Sequence, residues 1–129
     1  MNEWTAVTCP DATIDVLRKQ FADQAERLLA AVGKATPHVI AGLASRLLET
    51  SQQLFEREER RLAEGKASSL VRHAHEHGRF LADLAELAEL AQSGDAAGLE
   101  TLRPQRWLKS WIAAHARTDK DLAALTPAA

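Results

Sequence analysis

Hydrophobic residues recur every three or four positions along nearly the whole chain, and few residues interrupt them. In the first third, for example, Leu17, Phe21, Leu28 and Val32 follow this spacing, with charged residues between them. Such spacing is typical of α-helices that bury one face. Glycine and proline are scarce, with six and four copies, and no stretch has the alternating pattern of a strand. The sequence therefore predicts an all-α protein.

The few helix-breaking residues divide the chain into four helical segments, at about residues 11–32, 37–64, 69–92 and 104–125. Gly33 and Gly65 are placed to end the first two, and Thr36-Pro37 is typical of a helix start. We predict a short connecting segment over residues 96–102, before Pro104. Helices of about 30 to 40 Å joined by short loops predict one domain, residues 1–129, folded as an up-down-up-down four-helix bundle.

Composition and charge exclude several classes of function. The net charge of −2 gives no reason to expect nucleic acid or an anionic membrane as partner. No hydrophobic run approaches the ~20 residues that span a bilayer, and the N-terminus lacks the features of a secretion signal. A single cysteine, Cys9, favours a reducing, cytoplasmic location. We find no nucleophile triad and no glycine-rich phosphate loop, so we predict no catalytic residues and no enzyme.

Three of the five histidines stand at alternate positions, His73, His75 and His77. Residues four apart in a helix differ by about 40° around the axis, so His73 and His77 share a face. The neighbouring hydrophobic residues turn that face towards the core, whereas His75 lies about 200° away from His73 and should face solvent. Two buried imidazoles must be hydrogen-bonded, charged at a cost, or bound to a metal.

Two other segments offer groups that could complete a site. His115 and Asp119 are also four apart, on the predicted fourth helix. Glu58 follows Leu54 by four residues, so it lies either on a solvated flank or inward as a ligand. The rest of the run 56–61 is predicted to be a solvated face with salt bridges. Metal sites in bundle cores are built from such inward carboxylates and histidines.

Taken in order, these motifs resemble the hemerythrin family in its bacterial single-domain form, over nearly the whole chain. Trp4 resembles the family's N-terminal tryptophan. The matching segments are I-D-V-L-R-K-Q-F (14–21), L-F-E-R-E-E (54–59), H-A-H-E-H-G-R-F (73–80) and L-K-S-W-I-A-A-H (108–115). Family members with the full motif hold two irons between their helices and bind dioxygen reversibly. The resemblance implies that Glu58 and Asp119 stand where the bridging carboxylates stand.

The resemblance also implies that His73, His77 and His115 stand where the three histidines of one iron stand. The ligands of the other iron are lost. The family's helix-one histidine is Arg18 here, or Ala25 in a different register, and its helix-two histidine is Leu54. Two smaller departures are the missing Y-P before the third helix and a gap of four, not five, between the last histidine and aspartate.

Two interpretations follow. In the first, one metal ion, Fe or Zn, is held by the three histidines with Glu58 or Asp119, and an open position serves a small ligand such as dioxygen or redox sensing. In the alternative, the domain binds no metal, Arg18 pairs with Glu58 and Asp119, and the protein is an interaction or structural module. A complete di-iron oxygen-binding centre is disfavoured, because a guanidinium cannot act as a ligand. The sequence indicates no particular protein partner or oligomeric state.

Overall fold

The computed structural model describes the backbone of residues 12–118 and the side chains of residues 12–113. Every element over this range is a helix, and the range contains no strand. The helices are α1 (Ala12–Ala31), α2 (Pro37–Glu64), α3 (Leu70–Gln92), α4 (Ala96–Leu102) and α5 (Pro104–Thr118). The all-α class is thus confirmed, and four long helices are compatible with a four-helix bundle.

Local chemistry explains most of the helix boundaries. Gly33 follows α1 with φ +85°, a conformation that favours glycine, and Pro37 occupies the first turn of α2 after an extended Thr36. The observed limits of α1, α2 and α3 agree with the predicted ones to within one residue. The predicted end of the last helix, residues 119–125, lies outside the described range.

Residues 96–102 connect α3 to α5, and they do so as a short helix, α4, which the sequence pattern did not indicate. The side chain of Asp95 accepts a hydrogen bond of 2.8 Å from the backbone N–H of Gly98 and so caps the helix. The helix ends at Arg103, whose φ of 51° is left-handed, and Pro104 starts α5 directly afterwards. Asp95, a residue type that favours helix starts, was the visible signal of this helix. Seven residues are too few to show the periodic hydrophobic pattern that indicates the longer helices.

Long helices that follow one another in the chain run in opposite directions. Arg18, early in α1, contacts Glu58, late in α2, and the same end of α2 contacts His77, early in α3. At the other end, the side chain of Gln105 in α5 donates to the carbonyl of Val32, just after α1. Arg18, Glu58 and His77 therefore meet at one end of the helices, and the α1–α2 turn meets the start of α5 at the other.

The core contains a hydrophobic cluster and a smaller set of buried polar groups. Three phenylalanines, Phe21, Phe55 and Phe80, contact one another and Trp111 at ring-centroid distances of 4.0 to 6.0 Å. The buried polar and charged residues are Arg18, Thr50, Ser51, Glu58, Arg61, His73 and His77. Among the helices of residues 12–118, none is long and apolar enough to cross a membrane.

Candidate functional site

Helix α3 turns His73 and His77 into the core, as predicted. Their side chains are 0% and 1% exposed, whereas His75, on the opposite face, is exposed. The two buried rings lie edge to face, with centroids 5.6 Å apart. The same face continues into Phe80 and Leu84 in the hydrophobic core, so the imidazoles extend the buried stripe of the helix.

Glu58 points inward, which decides between the two placements that the sequence left open. Its side chain is fully buried, and it follows the buried Leu54 on the same face of α2. One carboxylate oxygen, Oε1, lies 3.3 Å from Nε2 of His77 on α3. The structure therefore brings together two of the predicted site residues from two different helices.

Glu59 belongs to the site as well, although the sequence placed it on a solvated face. Its Oε2 lies 2.9 Å from Nδ1 of His77, and about a third of its side chain is exposed. Consecutive helical residues point about 100° apart, so Glu58 and Glu59 approach the imidazole from different sides. The consecutive glutamates were the only signal in the sequence, and it could not show which ring nitrogen each would face.

The contacts of His77 restrict the charge between the two helices. An ionised carboxylate only accepts hydrogen bonds, so the proton on Nδ1 is the one donated to Glu59. Nε2 then lies 3.3 Å from Oε1 of the Glu58 carboxylate. An unprotonated ring nitrogen and a carboxylate oxygen are both hydrogen-bond acceptors, so they attract each other only if a positive charge lies between them. The contact is attractive if Nε2 carries a second proton, if the buried Glu58 carboxyl carries one, or if a cation is shared. Two ligands of one tetrahedral ion at ~2.0–2.1 Å are roughly 3.3–3.4 Å apart, which matches this separation.

Phe55 fixes the plane of the His77 ring. The two rings are parallel to within 3°, with centroids 3.9 Å apart, and Phe55 is 1% exposed. Phe55 precedes Glu58 by three residues, so one face of α2 supplies both the stacking ring and the carboxylate. The imidazole is therefore held by contacts to its face and to both nitrogens.

Arg18 reaches the same carboxylate from α1. Its Nε lies 3.2 Å from Oε2 of Glu58, and the two side chains are 2% and 0% exposed, so this is a buried ion pair. The other two positions where the resemblance would place a ligand, Ala25 and Leu54, are fully buried side chains without donor atoms. Each oxygen of Glu58 thus faces a different partner, Arg18 on one side and His77 on the other.

The rest of the charged run on α2 is mostly solvated, as predicted. Glu56, Arg57 and Arg60 are exposed, and Arg60 forms a salt bridge of 3.1 Å with Glu56. The prediction is wrong for Arg61, which is buried at 8% exposure because it follows Glu58 by three residues on the inward side.

The remaining two predicted ligands lie at the edge of what the structure describes. His115 belongs to the backbone of α5, but its side chain lies outside the described residues, as does all of Asp119. Within residues 12–113, no group of three or more His, Cys, Asp and Glu side chains is close enough to hold a metal ion. This part of the chain brings Glu58 into contact with His77 and places His73 beside them.

Comparisons with protein-family models, with curated proteins and with solved structures found no match to this chain. The relationship to hemerythrins therefore stays a hypothesis that rests on the order and spacing of the sequence motifs.

Proposed function

We propose that the chain is a hemerythrin-like up-down-up-down bundle that holds one metal ion, Fe or Zn, among α2, α3 and the end of α5. The observation that carries this proposal is the geometry of His77. Its Nδ1 is held by Glu59, while Nε2 faces Glu58 Oε1 at the separation expected of two ligands on one ion. Histidines that bind metals commonly donate their other ring N–H to a carboxylate in this way.

The chemistry of the donor set suits such an ion. Two buried imidazoles and a buried carboxylate are nitrogen and oxygen ligands, which iron and zinc both accept. His115 in α5 and Asp119, four residues further along the chain, would complete the set of ligands. Iron or zinc bound here with an open position would supply a binding point for a small ligand such as dioxygen.

The contacts of Arg18 favour one ion over two. The guanidinium is permanently charged, cannot act as a ligand, and lies 3.2 Å from Oε2 of Glu58. A second ion bridged by that oxygen would have to displace the guanidinium and then lie close to its charge. With Leu54 and Ala25 at the other positions, no imidazole would hold such an ion.

A second candidate, a metal-free domain, is supported by the same ion pair. If His77 is an imidazolium, the positive charges of Arg18 and His77 balance the negative charges of Glu58 and Glu59 without any metal. The chain would then serve as an interaction or structural module whose polar core is closed by its own side chains.

Metal content of untagged protein, purified without a chelating column, separates the two candidates. We expect about one Fe or Zn per chain in the wild type and its loss in His77→Ala. His75→Ala is the matched control, since it removes an exposed imidazole two residues away on the same helix. Protein that is folded by circular dichroism, contains no metal and takes up no added Fe or Zn would refute the metal proposal and support the alternative.

A further inference from the structure

A cavity of about 560 Å³ lies at the end of the helices away from Arg18, Glu58 and His77. It is lined by the α1–α2 turn, the start of α2, and the α4–α5 corner. Val32, in its wall, follows Arg18 by 14 residues, which is about 21 Å along a helix. Its volume lies within the range of about 300–1,000 Å³ that is typical of small-molecule sites. The cavity is thus separate from the candidate metal site.

The walls of this cavity are held in place by local contacts. The side chain of Gln105 donates to the carbonyl of Val32 at 3.1 Å, which ties the start of α5 to the end of α1. The capping hydrogen bond of Asp95 to Gly98 orders α4, and the left-handed Arg103 sets the corner between α4 and α5. The cavity therefore exists before any ligand arrives, which lowers the ordering cost of binding.

The lining combines a hydrophobic base with a charged rim. Val32 and Ile40 are buried and Leu99 is half-buried, whereas Arg103, Arg106 and Glu100 are exposed. Within the described part of the chain, neither arginine takes part in an ion pair. Two guanidinium groups against one carboxylate leave the rim with a net positive charge.

We propose that this cavity binds a small carboxylic acid with a hydrocarbon body, such as a medium-chain fatty acid. The hydrocarbon body lies against Val32, Ile40 and Leu99, where its burial supplies the affinity. The carboxylate lies at the rim, where the planar guanidinium groups of Arg103 and Arg106 match its geometry. The positive rim disfavours amines of the same length. This site is independent of the proposed metal site.

The test is a calorimetric titration of decanoate, below its micelle concentration, into the full-length protein. We expect saturable binding of one decanoate per chain with Kd below about 1 mM, and weaker binding of 1-decanol and decylamine. Arg106→Gln and Arg103→Asn, in which asparagine tolerates the left-handed φ, should each weaken binding about 3- to 5-fold. Arg46→Gln, which removes an exposed arginine of α2 outside the cavity, is the matched control and should leave Kd unchanged.

A second variant tests the location of the hydrocarbon body. Leu99→Trp should fill the cavity and abolish binding, while circular dichroism and metal content stay as in the wild type. The proposal is overturned if decanoate shows no saturable binding, if decanol binds as tightly, or if the Arg103→Asn/Arg106→Gln double variant binds like the wild type. Because metal content is measured on the same samples, failure here is distinct from failure of the metal proposal.

Discussion

The buried ion pair between Arg18 and Glu58 gives the sharpest test of how the core is held together. Both side chains are at most 2% exposed, so removing the guanidinium in Arg18→Met leaves a carboxylate inside the protein without that partner. Breaking a buried pair in this way typically costs about 3–5 kcal/mol. We expect the lower end, about 3 kcal/mol, because the proton or cation inferred between Nε2 of His77 and the other oxygen, 3.3 Å apart, still compensates Glu58.

Urea unfolding followed by circular dichroism measures this loss. With an m-value of about 2 kcal/mol/M, a loss of 3 kcal/mol moves the midpoint down by about 1.5 M. Glu58→Gln should cost a similar amount, because it leaves the guanidinium buried. The double variant should cost no more than either single variant, since it removes both charges together.

The chain contains a matched control for this cycle. Arg60 and Glu56 form a salt bridge at 3.1 Å, close to the 3.2 Å of the buried pair, but their side chains are 61% and 72% exposed. Arg60→Met should therefore cost only about 0.3–0.5 kcal/mol. If Arg18→Met costs no more than Arg60→Met, or if the two buried variants are additive, the inference that Arg18 neutralises Glu58 in the core is wrong.

Three further predictions concern the groups around this pair. Glu59→Gln should weaken Zn binding at least about 10-fold in a competition titration, because an amide holds Nδ1 of His77 less strongly; unchanged affinity would contradict its orienting role. Phe55→Leu should lower the free energy of unfolding by about 1–3 kcal/mol in urea and broaden the His77 ring resonances in NMR, since the stacked ring is lost; sharp, unshifted resonances would count against it. Asp95→Ala should cost about 1 kcal/mol and speed amide exchange in α4, whereas unaltered exchange would show that the cap is unimportant.

Local signals in the sequence were sufficient to predict the long helices and the helix faces that point into the core. Gly33 and Pro37 act on their own backbone, so their effect does not depend on the rest of the fold. The helical repeat alone places His73 and His77 on one face of their helix, and Leu54 and Glu58 on one face of theirs. These are properties of a single helix, which is why a single sequence predicts them.

The contacts between helices could not be predicted in the same way. Whether Glu59 reaches His77, and whether Arg61 is buried, depends on how far α2 is rotated relative to α3. Helix α4 buries none of its residues, so the burial pattern that marks the other helices is missing there. The sequence predicted the pairing of Arg18 with Glu58 only within the metal-free interpretation, and whether the two side chains meet depends on how α1 packs on α2.

The ion pair also bears on the order of events when the protein is made. A carboxylate reserved for a metal is ordinarily a buried charge until the metal arrives, and folding then depends on metal supply. Here the counter-charge of Glu58 is carried by Arg18 of the same chain, so it is present as soon as α1 and α2 meet. The negative charge of Glu58 is therefore balanced without a metal, and the packing of α1 against α2 does not depend on metal supply.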